Sequence, residues 1–195
     1  MMMTGWRLLA AALAVALLQI GFLSWTIIGR AAILQNGKEI TLETAPVDPR
    51  DLLRGDYVRL GYTISSVPTN SITDINGRET SEEGPIYVLL KRQPDGLWTL
   101  QSASFAKPAT PGSPDEAVIR GLVREGWNLG PDTSISADYG IERYYVPEGE
   151  GLAIEQGMRD EARAFRILAA VDDEGTAQIK ALMDGDKKLY DEPIY

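Results

Sequence analysis

The chain has 195 residues, a formal net charge of −9, no histidine and no cysteine. Those absences exclude histidine-based triads, cysteine nucleophiles, disulfides and most zinc or transition-metal sites. The acidic balance argues against nucleic acid, which calls for a basic footprint. No GxxxxGK[ST] or GxGxxG phosphate loop occurs, and no cofactor is expected.

In chain order, the first element is residues 8–28, a run without Asp, Glu, Lys or Arg. As a helix rising about 1.5 Å per residue it spans roughly the 30 Å hydrocarbon core of a bilayer. Trp6 and Trp25 lie near its ends, where amphipathic rings favour the headgroup level, and Arg7 and Arg30 close it. A cleaved signal peptide has a shorter apolar region and small residues before its cleavage point. Residues 1–30 are therefore read as a retained transmembrane anchor. Residues 31–195 are read as one extracytoplasmic domain, about 165 residues, a size that suits one well-buried core.

Basic residues are nearly balanced across the helix and do not set its orientation. All 28 acidic residues follow the helix, and so acidic a domain is disfavoured at the anionic cytoplasmic leaflet. With only seven residues ahead of the apolar run, the expected topology is a single pass through the inner (cytoplasmic) membrane, with the domain facing the periplasm.

Beyond the anchor, turn chemistry punctuates short apolar runs. Residues 33–34 and 40–42 flank Asn36-Gly37 and read as a hairpin. Residues 57–64 read as a strand, 65–85 as a polar loop and 86–90 as a buried strand. Pro94-Asp95-Gly96 turns that strand into 97–100, because proline fixes φ and glycine accepts positive φ. A proline-rich loop at 107–114 precedes a strand at 117–123. Residues 151–162 read as a short helix. Residues 165–171 and 176–182 form a hairpin about Asp172-Asp173-Glu174-Gly175, and 188–190 a last short strand. The acidic turns lack the alternating ligand spacing of a calcium loop. The pattern predicts a mainly β chain: an N-terminal transmembrane helix plus one β-sandwich or open-barrel-like domain with one short helix.

Two stretches are unusual for plain strands. Gly55, Asp56, Tyr57, Leu60 and Tyr62 stand in the first; Tyr139, Glu142, Arg143, Tyr145 and Glu148 stand in the second. On a regular strand Tyr57 and Tyr62 point to opposite faces and cannot form one stacked platform. Asp56 has Arg50, Arg54 and Arg143 as possible ion partners. For the first stretch the favoured reading is a fold-defining corner with a salt bridge and with Tyr57 and Tyr62 buried, a ligand site being the other; the second reads as an aromatic strand ending at Pro147 and an exposed acidic turn. A catalytic carboxylate pair of the glycosidase kind needs a separation of about 5–9 Å, which no spacing here dictates.

The first stretch resembles, letter for letter, the signature of the GDYXXLXY family of membrane-anchored bacterial proteins. Residues 139–149 are similar to that family's YGIERYFVPEG block, with Tyr145 in place of phenylalanine. A hairpin like the family's LLK…DG.W lies at residues 89–98. The resemblance implies a small envelope protein, of a kind often encoded beside multi-pass membrane proteins, and no particular activity. The expected role is a non-enzymatic docking or assembly factor for a multi-pass membrane partner. The motif residues are its candidate binding positions, and none is assigned to catalysis. Two alternatives stand beside it. One is a degenerate signal-peptidase-like β domain, with Thr44 the sole hydroxyl near the expected nucleophile and Lys91 in the segment like the base. The other is a small-ligand or glycan-binding module using Tyr57 or Tyr62 with Glu142 or Arg143.

Overall fold

A computed structural model describes residues 5–45, 57–145, 165–185 and 187–191. The first element, α1, runs from Gly5 to Asn36. Its apolar part has a mean hydropathy of 2.1 over 18 residues and is not covered by the rest of the protein. The helix is thus long and apolar enough to cross a membrane once.

The hairpin expected about Asn36-Gly37 does not form. Helix-compatible residues continue through Ala31, Ala32, Ile33 and Leu34, and the helix continues with them. Asn-Gly serves instead as its terminus. The Gly37 N–H donates to the Ile33 carbonyl at 2.8 Å, and Asn36 Nδ2 donates to the Ala32 carbonyl at 3.2 Å. A Cβ on Gly37 would lie 2.5 Å from that Ile33 oxygen and 3.0 Å from the Val171 nitrogen. Glycine at 37 therefore permits close packing, and the next residue already begins a strand.

The strands are β1 (Lys38–Ala45), β2 (Tyr57–Arg59), β3 (Gly61–Tyr62), β4 (Ser66–Pro68), β5 (Gly84–Arg92) and β6 (Trp98–Ser104). They continue as β7 (Glu116–Val123), β8 (Ser134–Asp138), β9 (Arg143–Tyr145), β10 (Phe165–Val171), β11 (Ala177–Asp184) and β12 (Lys187–Asp191). One sheet has the order β12-β11-β10-β1-β3, a second β4-β8-β7-β5-β6, and β2 pairs with β9 as a small ribbon. All these named strand pairs are antiparallel. The chain is mainly β, as its turn punctuation predicts.

The expected strand at 57–64 is broken. Leu60 interrupts it, β2 and β3 join different partners, and Thr63–Ser65 forms a 3₁₀ turn that carries the chain from one sheet to the other. Two strands were hidden in polar sequence. β4 lies inside the expected loop at 65–85, and β8 shows its inward face only through Ile135 and Ala137. The hairpins about 94–96 and 172–175 form as expected, with Gly96 and Gly175 both at positive φ. The short helix expected at 151–162 lies outside the described residues.

Inward residues of both sheets form one core. Ile40 and Leu42 of β1 and Ile167 of β10 join Ile86, Val88 and Leu90 of β5 and Ile119 of β7, all fully buried. The alternation on β5 and β7 is that of strands with one face on a core. Polar contacts bind the sheets at the end where α1 enters. The Arg120 N–H of β7 donates to the Gly175 carbonyl at 2.8 Å. Lys38 Nζ donates to the carbonyls of Ser113 and Glu116 and lies 5.5 Å from the centre of the Trp98 ring.

Gly175 is doubly constrained. Its φ is +82°, and a Cβ would sit 2.9 Å from the Arg120 nitrogen. Gly96 has φ +83° but open space around it. Gly96→Ala should cost about 1 kcal/mol, from backbone strain alone. Gly175→Ala should cost about 2–4 kcal/mol, because the β7 backbone must also move. Urea unfolding of the full chain in detergent, followed by tryptophan fluorescence, measures both. Equal costs would mean that the contact between Gly175 and β7 is soft.

Candidate functional site: the signature corner

The two unusual stretches meet. β2 and β9 pair with the register Tyr57↔Tyr145, Val58↔Tyr144 and Arg59↔Arg143. Where β2 ends, the Leu60 N–H donates to the Glu142 carbonyl at 2.9 Å. The chain then swings onto β1, with Thr44 opposite Tyr62 and Ala45 opposite Gly61.

Two tyrosines exchange hydrogen bonds across this corner. Tyr62 Oη donates to the Ile141 carbonyl at 2.5 Å, and Tyr139 Oη donates to the Ile64 carbonyl at 2.7 Å. The Glu142 carboxylate accepts the Tyr139 N–H, and Gly140 makes the intervening turn at φ +79°. Leu60, Tyr62, Tyr139, Ile141 and Tyr144 are all buried. Desolvation raises both phenol pKa values well above the ordinary tyrosine range, and the negative charge of Glu142 adds to the shift. Neither hydroxyl is an acid or base near neutral pH.

Gly121 on β7 completes the arrangement. A Cβ there would lie 3.1 Å from two carbons of the Tyr139 ring, so the bare strand makes room for it. The sequence reading did not single out Gly121. Its signal is a glycine inside an apolar strand, which marks a close approach.

Of the expected site residues, Leu60, Tyr62, Tyr139 and Glu142 come together in the corner. Arg143 and Tyr145 are on its outer side, and Tyr145 is 72 % exposed. Gly55, Asp56 and Glu148 lie outside the described residues, as does any ion pair of Asp56. Tyr62 also lines a cleft of about 340 Å³ with Trp127 and four serines, at 65, 66, 134 and 136. Neither Glu142 nor Arg143 lines that cleft, so it is not the tyrosine–carboxylate site of the glycan-binding reading. Among the described residues no group of carboxylates is placed to hold a metal ion.

Thr44 and Lys91 are far apart. Thr44 Oγ1 donates to the Phe165 carbonyl at 2.9 Å, at the corner end of β1. Lys91 sits opposite Glu116, whose carbonyl receives Lys38 at the other end of β1. Six residues of strand separate those ends, about 20 Å at 3.3 Å per residue. A hydroxyl–lysine dyad requires hydrogen-bond reach.

The family model of the GDYXXLXY protein matches residues 19–182, with both unusual stretches inside it. The chain belongs to the GDYXXLXY family. No curated protein and no solved structure matches it. The signature's Leu60 and Tyr62, with Tyr139 of the second block, are the buried corner itself.

Tyr62→Phe and Tyr139→Phe should each destabilise the fold by about 1–2 kcal/mol, since each withdraws the phenol that meets a carbonyl. The exchange also sets a pH dependence. Both phenols titrate higher in the folded chain than their unfolded value of about 10. Their contribution is therefore complete below pH 10, and stability falls as the unfolded state ionises above it. Each phenol adds a slope of up to about 1.4 kcal/mol per pH unit. Denaturation series from pH 8 to 11 should show a shallower alkaline slope in either Phe variant; an unchanged slope would show that the phenols ionise freely when folded.

Proposed function

We propose that this GDYXXLXY protein is a single-pass protein of the inner membrane whose domain stands in the periplasm and docks, without catalysis, onto a multi-pass membrane partner. The observation that carries the reading is the junction of α1 with β1. One residue, Gly37, separates helix from strand, and its N–H is held by the Ile33 carbonyl of the helix at 2.8 Å. A domain on a long flexible linker samples many orientations; a one-residue junction narrows that range. A narrower range lowers the entropic cost of binding a partner held in the same membrane.

The corner supports the same reading. Its tyrosine hydroxyls and the Glu142 carboxylate are engaged by the fold, which argues against their use in catalysis. Its outer side presents Arg143 and Tyr145, residue types enriched at the centres of protein interfaces. The acidic domain favours the periplasmic placement.

Purification of the full chain from its native membrane in several mild detergents tests the proposal. A stoichiometric multi-pass protein should co-migrate, and Tyr145→Ala should reduce its recovery without moving the unfolding midpoint. Absence of any reproducible partner would count against docking. Undiminished recovery with Tyr145→Ala would move the interface away from the corner.

A further inference from the structure

At the opposite end of β1 lies a second cleft, of about 670 Å³. That is within the range of about 300–1,000 Å³ that holds small ligands. Gly29, Ala32, Ile33 and Asn36 form one wall. Their spacing of i, i+3, i+4 and i+7 is one face of α1. The opposing wall is the loop with Pro108, Ala109 and Pro111, and Ala117, Val118 and Val171 add apolar lining from the sheets. Proline fixes φ, so this wall is stiff before anything binds.

The position of the cleft restricts what fills it. The uncharged run ends at residue 28, so Gly29 stands at the edge of the hydrocarbon. Asn36 is about 10 Å further along the axis, across the headgroup layer. Gly29 offers no side chain, and a Cβ there would touch nothing within 4 Å, so the cleft is unobstructed at that level. An apolar recess at that level exchanges water for acyl chain readily.

Charge at the cleft selects the headgroup. Glu116, Asp172, Asp173 and Glu174 supply carboxylates against the ammonium groups of Lys38 and Lys107. Lys38 is occupied by two carbonyls, and Lys107 by Glu174 at 2.7 Å. The balance is negative and both cations are engaged, which suits a headgroup that brings its own ammonium. We infer that the cleft between the last turns of α1 and the 107–111 loop binds a phospholipid of the surrounding bilayer, its acyl chain against Ile33 and Val118 and an amine-bearing headgroup toward Asp173. The inference rests on the membrane-spanning reading of α1.

The absence of cysteine makes single-cysteine labelling direct. Full-length Ala109→Cys, Lys91→Cys and Leu17→Cys are each labelled with an environment-sensitive fluorophore and reconstituted into phosphatidylcholine vesicles containing nitroxide-bearing lipid. Lys91 lies at the same end of the domain but outside the cleft; Leu17 lies in the middle of the apolar run. The fluorophore at 109 should be quenched well beyond that at 91. Ala32→Trp, or Gly29→Trp if the first variant unfolds, should fill the cleft and abolish the excess at 109 while leaving quenching at 17 intact. Adding phosphatidylethanolamine to the vesicles should deepen quenching at 109 by nitroxide on that lipid, and phosphatidylglycerol should not. Equal quenching at 109 and 91 with Leu17 quenched leaves the span standing and overturns the lipid site. Persistence of the excess in both tryptophan variants also overturns it, as does equal response to the two headgroups. An unquenched Leu17 label overturns the span, and the site with it.

Discussion

Two buried tyrosines, each donating to a carbonyl beside the other, hold the place where the chain passes between its sheets. Tyr62 belongs to β3 and, through β1, to one sheet; Tyr139 follows β8 of the other. Each hydrogen bond is worth only about 1 kcal/mol net. Their position multiplies their effect. Ile64, which receives Tyr139, lies in the 3₁₀ turn of the crossover. Ile141, which receives Tyr62, lies in the link that delivers β9 to β2. Two loops that could otherwise move independently are thereby registered to each other.

The same burial decides the chemistry of the corner. A phenol surrounded by Leu60, Ile141 and Tyr144 in one core loses the solvation that a phenolate needs. Glu142 beside it opposes a second negative charge. Among the described residues, Tyr62, Tyr139 and Glu142 are in three dimensions committed donors and acceptors. Arg143 and Tyr145, which alternate outward from Tyr144, remain on the solvent side. Among the described residues of the signature region, the solvent-exposed side is therefore its edge.

Legibility in the sequence followed the physics of each segment. The turns about Gly96 and Gly175 were readable because positive φ demands glycine and the flanking strands are apolar. Asn36-Gly37 is also a turn dipeptide, but the preceding residues bury only Leu34 and otherwise extend a helix, so the local turn signal was overridden. The argument that Tyr57 and Tyr62 face opposite sides presupposed one regular strand. Leu60 breaks that strand by bonding to Glu142, a partner 82 residues along the chain that periodicity cannot show. β8 escaped because its inward positions are only Ile135 and Ala137 among serines. The burial of Tyr62 was legible as part of a fold-defining corner; the burial of Tyr139, and the bonds by which each tyrosine reaches the other's neighbourhood, were not.

β1 joins the two ends of the molecule. Lys38 at its start is fixed beside the helix by the carbonyls of Ser113 and Glu116 and by the Trp98 ring. Thr44 and Ala45 at its finish pair with the signature strand β3. Between them Ile40 and Leu42 are wholly enclosed, so the strand cannot slide without exposing core. The family match begins within the helix at residue 19 and continues into β11 at residue 182, which takes in both ends of this connection. Helix terminus, β1 and corner are therefore joined by one enclosed strand, with Lys38 held at one end of it and Thr44 at the other.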